Sequence, residues 1–199
     1  MLVILFFHDY LVSYIGQFKQ KILIVINMEL LDIMLKRRST RKFSDEPVTK
    51  QEIDKILQAA LLAPTSMNRK PCNFMVVERK EILKELSKSK DHGADLIDGA
   101  DKAIVVIANS MVADTWIEDS SIALSHMHLM ATDLGLGSCW VQIHLRSKNG
   151  EDSEKVVRNI LKIDNYYRIV GILALGHSKD IPKPRSLEEL DKTKIHFLV

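Results

Sequence analysis

The pattern of apolar positions divides the chain from about residue 28 onwards into alternating helices and strands. Apolar runs bounded by turn residues predict β-strands over 73–78, 103–108, 138–143 and 169–175. The second and fourth runs are continuously apolar, which predicts strands buried on both faces. Apolar residues at helical spacing predict a helix from 49 to Pro64 and helices over 81–87, 117–134 and 151–161, after a short first helix that ends near Arg37. This order indicates an α/β or α+β sandwich, and periodicity alone does not choose between them.

Two pairs of residues have the spacing of a helix capping box. Thr49 with Glu52, and Thr115 with Glu118, place a hydroxyl and a carboxylate three residues apart at a predicted helix start. Asp119 adds a carboxylate to the first turn of the second helix, where the helix dipole favours negative charge. That helix is apolar nearly all round, so we expect it at the centre of the fold or in a subunit interface.

Residues 1–27 do not continue this pattern. Their apolar runs, 1–7 and 22–26, are too short for a membrane span of about 20 residues, and the segment lacks the layout of a signal peptide. We therefore expect an apolar N-terminal extension over 1–27 and one domain over 28–199. Met28 can itself serve as a start codon.

Composition and charge exclude several classes of protein. The 199 residues are 46% hydrophobic and 27% charged, which is typical of a globular domain with a sizeable core. A net charge of +2 gives no general attraction to nucleic acid or membrane. Cys72 and Cys139 lack a metal-binding spacing and fit a reducing cytoplasm. His126 and His128 are two residues apart, so they point to different helix faces and predict no metal site.

A basic stretch at 36–43 is the main candidate for chemistry. It contains Arg37, Arg38 and Arg41 with the hydroxyl groups of Ser39 and Thr40. A guanidinium binds phosphate through two parallel hydrogen bonds, so the stretch predicts a phosphate clamp. One alternative is a solvated basic helix end, which complements the negative pole of the helix. A nucleic-acid contact is a second alternative, and the small net charge disfavours it.

Four motifs then follow one another in an order that resembles the nitroreductase family of FMN-dependent NAD(P)H oxidoreductases. They are R-R-S-T-R-K-F at 37–43, A-P-T-S-M-N-R-K-P at 63–71, G-L-G-S-C-W at 135–140, and A-L-G-H at 174–177 followed by K-P-R at 183–185. The resemblance covers residues 28–199. It implies an α+β fold, an α/β/α sandwich with a mixed central sheet flanked by helices, in an intertwined homodimer that holds FMN between its subunits.

The resemblance also implies cofactor-binding residues in three groups. They are Arg37, Arg38, Ser39, Arg41, Lys183 and Arg185 at the FMN phosphate and ribityl chain; Pro64, Ser66 and Asn68 on a loop that reaches the flavin of the other subunit; and the backbone N–H groups near Val141, Gln142 and Ile143 beside flavin N5. Trp116 is expected to form a wall of the substrate pocket. The chain departs from the family pattern at 70–72 and 142–143, which affects the shape of the pocket.

The implied function is FMN-dependent reduction of small electrophilic acceptors such as nitroaromatics, quinones or flavins. NADH or NADPH would be the electron donor in a ping-pong mechanism, with the chemistry at FMN N5 and no catalytic side chain or metal. The expected protein is a cytoplasmic homodimer with no nucleic-acid or membrane partner. One alternative is a flavin-binding protein without turnover. Another is the dehalogenase or flavin-destructase type of branch, whose extra lid residues have little room between 108 and 117.

Overall fold

The computed structural model describes residues 29–180 and 182–198. The expectation for residues 1–27 lies outside this range, and the predicted boundary at residue 28 stays a prediction. The chain forms two compact units, 1–34 and 35–199. The first unit is described only over 29–34, where helix α1 (Leu30–Lys36) begins.

The predicted helices and strands form in the predicted order, with bounds that differ by one or two residues, except that the second helix ends at Leu61 and not at Pro64. Two short strands, at 147–148 and 151–152, were not predicted. The helices are α2 (Lys50–Leu61), α3 (Lys80–Leu86), α4 (Trp116–Asp133) and α5 (Ser153–Leu161). The strands are β1 (Cys72–Val77), β2 (Lys102–Asn109), β3 (Gly137–Gln142), β4 (Ser147–Lys148), β5 (Glu151–Asp152) and β6 (Tyr167–Gly176). Short 3-10 turns occupy Ser66–Asn68, Asp95–Ile97, Leu187–Glu189 and Lys192–Lys194.

Four strands form the central sheet in the order β1-β2-β6-β3, and each neighbouring pair is antiparallel. The sheet is mixed through one parallel bridge, which joins Ser39 to Ser138 on β3. Strands β2 and β6 lie at the centre and are buried on both faces, as their continuous apolar runs predict. Strand β3 is left at the edge beside the basic stretch.

Helices cover both faces of the sheet and complete an α/β/α sandwich. Successive residues of a strand point to opposite faces, so β2 contributes Ala103, Val105 and Ile107 to one apolar cluster and Ile104 and Val106 to the other. Helices α3 and α5 pack in the first cluster, and α2 and α4 in the second. The predicted fold class is confirmed.

Only one of the two predicted capping boxes forms. Thr49 accepts from the N–H of Glu52 while the Glu52 carboxylate accepts from the N–H of Thr49. Thr115 makes no such bond, and its hydroxyl instead donates to Asp119 at 3.3 Å. The prediction for Glu118 is therefore wrong, because Thr115 has ψ 21° instead of the extended backbone that directs a capping side chain at the first turn.

Helix α4 buries one face within the chain and leaves apolar groups on another. Ala123, Leu124 and Met127 are buried against the sheet, whereas Ile117 is 37% exposed and Ile122 is partly exposed. A single chain therefore covers only part of the apolar surface that the sequence predicts for this helix.

A buried carboxylate joins α5 to β6. Glu154 is 1% exposed and accepts from Arg168 at 2.9 Å, from the ring of His144 at 2.6 Å and from the N–H of Ile169 at 2.9 Å. Burial alone would raise the Glu154 pKa, but these hydrogen bonds together lower it below its usual value. The carboxylate is therefore held ionised inside the domain.

We expect Glu154→Gln to lower the free energy of unfolding at pH 7 by on the order of 3 kcal/mol, because Arg168 loses its buried counter-charge. Urea unfolding measures the change. Glu151→Gln is the matched control, since Glu151 is exposed and pairs with Lys155 on the surface. Equal stability of the two variants would contradict a structural role for the buried carboxylate.

Candidate functional site

The outer edge of β3 receives the basic stretch. The N–H of Thr40 donates to the carbonyl of Ser138 at 2.9 Å, next to the parallel bridge between Ser39 and Ser138. Gly137 permits this approach, because a Cβ there would lie 2.7 Å from Thr40 Cγ2. The contacts hold the backbone of residues 39–40 against the sheet.

The C-terminal segment joins the basic stretch at the same place. Arg38 donates from Nη1 to the carbonyl of Lys183 at 2.5 Å, and the N–H of Arg185 donates to the carbonyl of Leu35 at 2.9 Å. The N–H of Ser44 also donates to the carbonyl of His177 at 2.8 Å. The structure thus brings together the two predicted groups of cations. We call Arg37, Arg38 and Arg185 the arginine cluster.

The arginine cluster concentrates positive charge that no acid pairs with in the described part of the chain. The pKa of Arg37 is lowered, first by burial and then by the nearby charges of Arg185 and Arg38. Within residues 29–180 and 182–198, no carboxylate forms an ion pair with any of the three. A bound dianion would reverse the repulsion, so these residues fit a phosphate group. Arg41 lies beside the cluster and donates to the carbonyl of Ser39 at 3.3 Å.

A buried histidine contacts the guanidinium of Arg37. His128 on α4 lies 3.0 Å from Arg37 Nη1 through Nε2 and 2.5 Å from the Ser138 hydroxyl through Nδ1. A guanidinium can only donate, so Nε2 is the acceptor and Nδ1–H faces Ser138. Burial and then the charge of Arg37 lower the His128 pKa to about 4. His128 is therefore neutral at pH 7 and orients Arg37 without competing for an anion.

The structure bears out the interpretation of the two α4 histidines as hydrogen-bonded side chains. His126 Nδ1 lies 3.3 Å from the carbonyl of Ala59, while His128 has the partners given above. In the described ranges, no group of three or more His, Cys, Asp or Glu side chains is placed to hold a metal ion. What sequence reasoning missed is the contact between His128 and Arg37, which are 91 residues apart.

The predicted backbone donors on β3 need a correction. The N–H of Ile143 donates to the carbonyl of Val170 at 3.0 Å, and its side chain is fully buried. Val141 has the same orientation, because alternate residues of an edge strand face the same neighbour. By the same alternation, the N–H groups of Trp140 and Gln142 face the outer edge, where Ser138 meets Thr40. Of the three predicted donors, Gln142 alone faces the free edge.

The predicted flavin loop carries unusual backbone geometry. Met67, Asn68 and Lys70 all have φ near +50°, which is uncommon outside glycine. The loop is fixed at its start, where the N–H of Ser66 donates to Asp119 at 3.0 Å. Asp119 is 2% exposed, so its role is to hold this loop as well as the helix start. Backbone strain of this kind is often found at ligand sites.

Within one chain, the loop and the arginine cluster contact α4 at two different places. Asp119 anchors the loop and His128 contacts the cluster, nine residues apart, or roughly 14 Å along the helix axis. Pro64 and Asn68 are exposed between α2 and β1. Among the described residues, no hydrogen bond or ion pair links them to Arg37, and the expectation that the loop serves the other subunit stays a prediction.

Trp116 lies largely in the interior. Its ring is 7% exposed, with the Arg168 guanidinium 4.7 Å above it and the His144 ring edge-on at 5.0 Å. These neighbours connect it to the Glu154 network. Its role as a wall of the substrate pocket stays a prediction.

Neither thiol has a reactive setting. Burial raises the Cys139 pKa, although Arg41 and Arg37 lie within electrostatic reach. Burial also raises the Cys72 pKa, and that thiol lies 3.4 Å from the Ser120 hydroxyl. Thiolate is the reactive form, so both groups are poor nucleophiles.

The fold and the site define a class: an α/β/α sandwich with a cluster of arginines at the edge of its sheet. The family model for the nitroreductase family matches residues 34–94 and 87–177. The chain belongs to the nitroreductase family.

Named relatives agree with this assignment. A protein of Archaeoglobus fulgidus, with the provisional name NADH dehydrogenase/NAD(P)H nitroreductase, is 35% identical over 76% of this chain and 87% of its own length. The FMN reductase [NAD(P)H] of Bacillus subtilis is 26% identical over 81% of this chain and 71% of its own length. The solved FMN-dependent nitroreductase of Clostridium difficile R20291 superposes with a TM-score of 0.81 at 41% identity, covering 83% of this chain and 96% of its own.

None of the described helices has the length and apolar character needed to cross a membrane.

We expect the free energy of unfolding to fall as the pH drops from about 6.5 to about 4. The unfolded chain binds a proton on residue 128 in this range while the folded protein does not, so acid favours unfolding by roughly 3 kcal/mol in total. Chemical denaturation across this range tests the expectation.

His128→Gln removes the titrating group and should flatten this part of the pH profile. His126→Gln is the matched control and should keep the wild-type slope, because His126 lies outside the arginine cluster. A His128→Gln profile with the full wild-type slope would show that His128 is not the group responsible.

Proposed function

We propose that this protein is an FMN-dependent oxidoreductase that uses NADH or NADPH to reduce small electrophilic acceptors. The observation that carries the proposal is the convergence of Arg37, Arg38 and Arg185 from opposite ends of the domain, with no ion pair to a carboxylate among the residues that the structure describes. A phosphate dianion supplies the missing charge, and FMN carries one. The name of the Clostridium difficile relative, an FMN-dependent nitroreductase, supports the same cofactor.

The chain's own residues would bind and orient the cofactor. Arg37 and Arg185 would bind the phosphate, His128 would hold the Arg37 guanidinium in place, and Ser39 would add a short neutral donor. The N–H of Gln142 would face the flavin along the outer edge of β3. FMN itself supplies the redox chemistry by accepting a hydride and passing electrons to an acceptor. A ping-pong mechanism follows if donor and acceptor use the same open face.

A homodimer would complete the site. The partly exposed apolar groups on α4 and the exposed Leu61, Leu62 and Met67 beside the strained loop form surfaces that a second chain can cover. Pro64, Ser66 and Asn68 would then reach the flavin of the other subunit. Lys183 would add a cation at the phosphate. Cysteine usage supports a cytoplasmic location for this enzyme.

We expect the purified protein, saturated with FMN, to show a visible flavin band that NADH or NADPH bleaches within seconds in the absence of oxygen. Readdition of a nitroaromatic or quinone should restore the band, because the reduced ring returns its electrons to the acceptor. Stopped-flow absorbance follows both steps. A band that neither nicotinamide bleaches would indicate a flavin-binding protein without turnover, and no band at all would refute the proposal.

The double substitution Arg37→Ala with Arg185→Ala should weaken FMN binding strongly. Each lost charge-assisted hydrogen bond to the phosphate costs roughly 1.5 to 3 kcal/mol, so each raises the Kd for FMN about tenfold to a hundredfold. Fluorescence titration with FMN measures the change. Lys42→Ala is the control from the same stretch, since the Lys42 side chain is exposed and pairs with Asp180. Unchanged FMN affinity in the double variant would contradict the arginine cluster as the phosphate site.

A further inference from the structure

A second basic site lies between the segment that follows α3 and the residues around β4. An open cavity of about 500 Å³ is lined by Lys90, Asp91, His92, Leu145, Arg146 and Ser147. This volume is in the range of small-ligand pockets. None of these residues belongs to the arginine cluster, and none was predicted as a site residue.

The cavity has a fixed frame. The N–H of Asp91 donates to the carbonyl of Ser147 at 3.0 Å, and the Asp91 carboxylate accepts from the N–H of Asn149 at 3.0 Å. The N–H of Ser153 donates to the carbonyl of Arg146 at 2.9 Å. These bonds hold the segment after α3 against the β4–β5 hairpin. Asp91, the one carboxylate among the lining residues, already accepts from a backbone N–H.

The charges in the cavity favour an anion. Lys90 and Arg146 face one cavity, and in the described part of the chain neither forms an ion pair. Burial and then the charge of Arg146 lower the Lys90 pKa, although Asp95 opposes this. His92 and Ser147 add polar groups to the lining. A phosphate group can accept from these side chains through its terminal oxygens, and it would relieve the repulsion between the two cations.

The cavity adjoins the proposed flavin site. Lys90, Arg41 and Arg37 all lie within electrostatic reach of Cys139. The cavity residues 145–147 also begin three residues after β3 ends at Gln142. A molecule that reaches the flavin from this direction would pass Lys90 and Arg146.

We propose that the cavity lined by Lys90, His92 and Arg146 binds a phosphate group of the nicotinamide dinucleotide that reduces the flavin. The inference rests on the proposed function. The phosphate is either the pyrophosphate, which NADH and NADPH share, or the 2′-phosphate, which only NADPH carries.

The test is isothermal titration of NAD⁺ and NADP⁺ into FMN-saturated protein, which measures binding without electron transfer. Lys90→Met and Arg146→Met keep much of each side chain's apolar stem and remove its charge, and each should raise Kd by about tenfold or more. Loss of affinity for both nucleotides identifies the pyrophosphate, and loss for NADP⁺ alone identifies the 2′-phosphate. Lys88→Met is the matched control, an exposed neighbour outside the cavity, and should bind as the wild type does.

Three outcomes would overturn the inference. They are unchanged affinity for both nucleotides in Lys90→Met and Arg146→Met, equal weakening in Lys88→Met, and loss of FMN itself, which would make the cavity part of the flavin site. A wild-type protein that binds no FMN refutes the proposed function instead. The nucleotide titrations on that protein would still decide whether the cavity binds phosphate.

Discussion

The contact between His128 and Ser138 joins the three parts on which the site depends. It ties the central helix α4 to the edge strand β3, whose Ser138 carbonyl receives the basic stretch, and its second ring nitrogen faces Arg37. A buried imidazole with two partners stays neutral, so it can orient a guanidinium without supplying a competing charge. The Arg37 guanidinium is thereby held in place before any ligand arrives, which limits the entropy lost on binding.

Local sequence patterns predicted the helices and strands, and the resemblance to a family supplied their arrangement in layers. The continuous apolar runs of β2 and β6 require cover on both faces, and the capping box at Thr49 and Glu52 involves residues that are neighbours in sequence. Such features depend on periods and short spacings, which a sequence displays directly. The basic stretch was different, because its composition left a solvated helix end open and only its combination with motifs far along the chain indicated a phosphate site.

Non-local geometry accounts for what the sequence did not reveal. Whether Gln142 or Ile143 faces the free edge depends on the register of β3, and a shift of one residue reverses the answer. Asp119 replaced Glu118 as the important carboxylate because it reaches Ser66, 53 residues away. The cavity at Lys90 and Arg146 arises from two segments that no short motif connects. These relations exist only after the chain has folded.

The joint between Arg38 and Lys183 closes a loop of 145 residues. Contacts so distant in sequence form late in folding, since most of the domain must be in place first. A ligand at this joint binds the folded chain and not the unfolded one, so at about 100 times its Kd it adds about 2.7 kcal/mol to stability. FMN bound there, as proposed, would therefore also stabilise the folded protein, and the supply of flavin in a cell would influence how long each copy of the protein survives proteolysis.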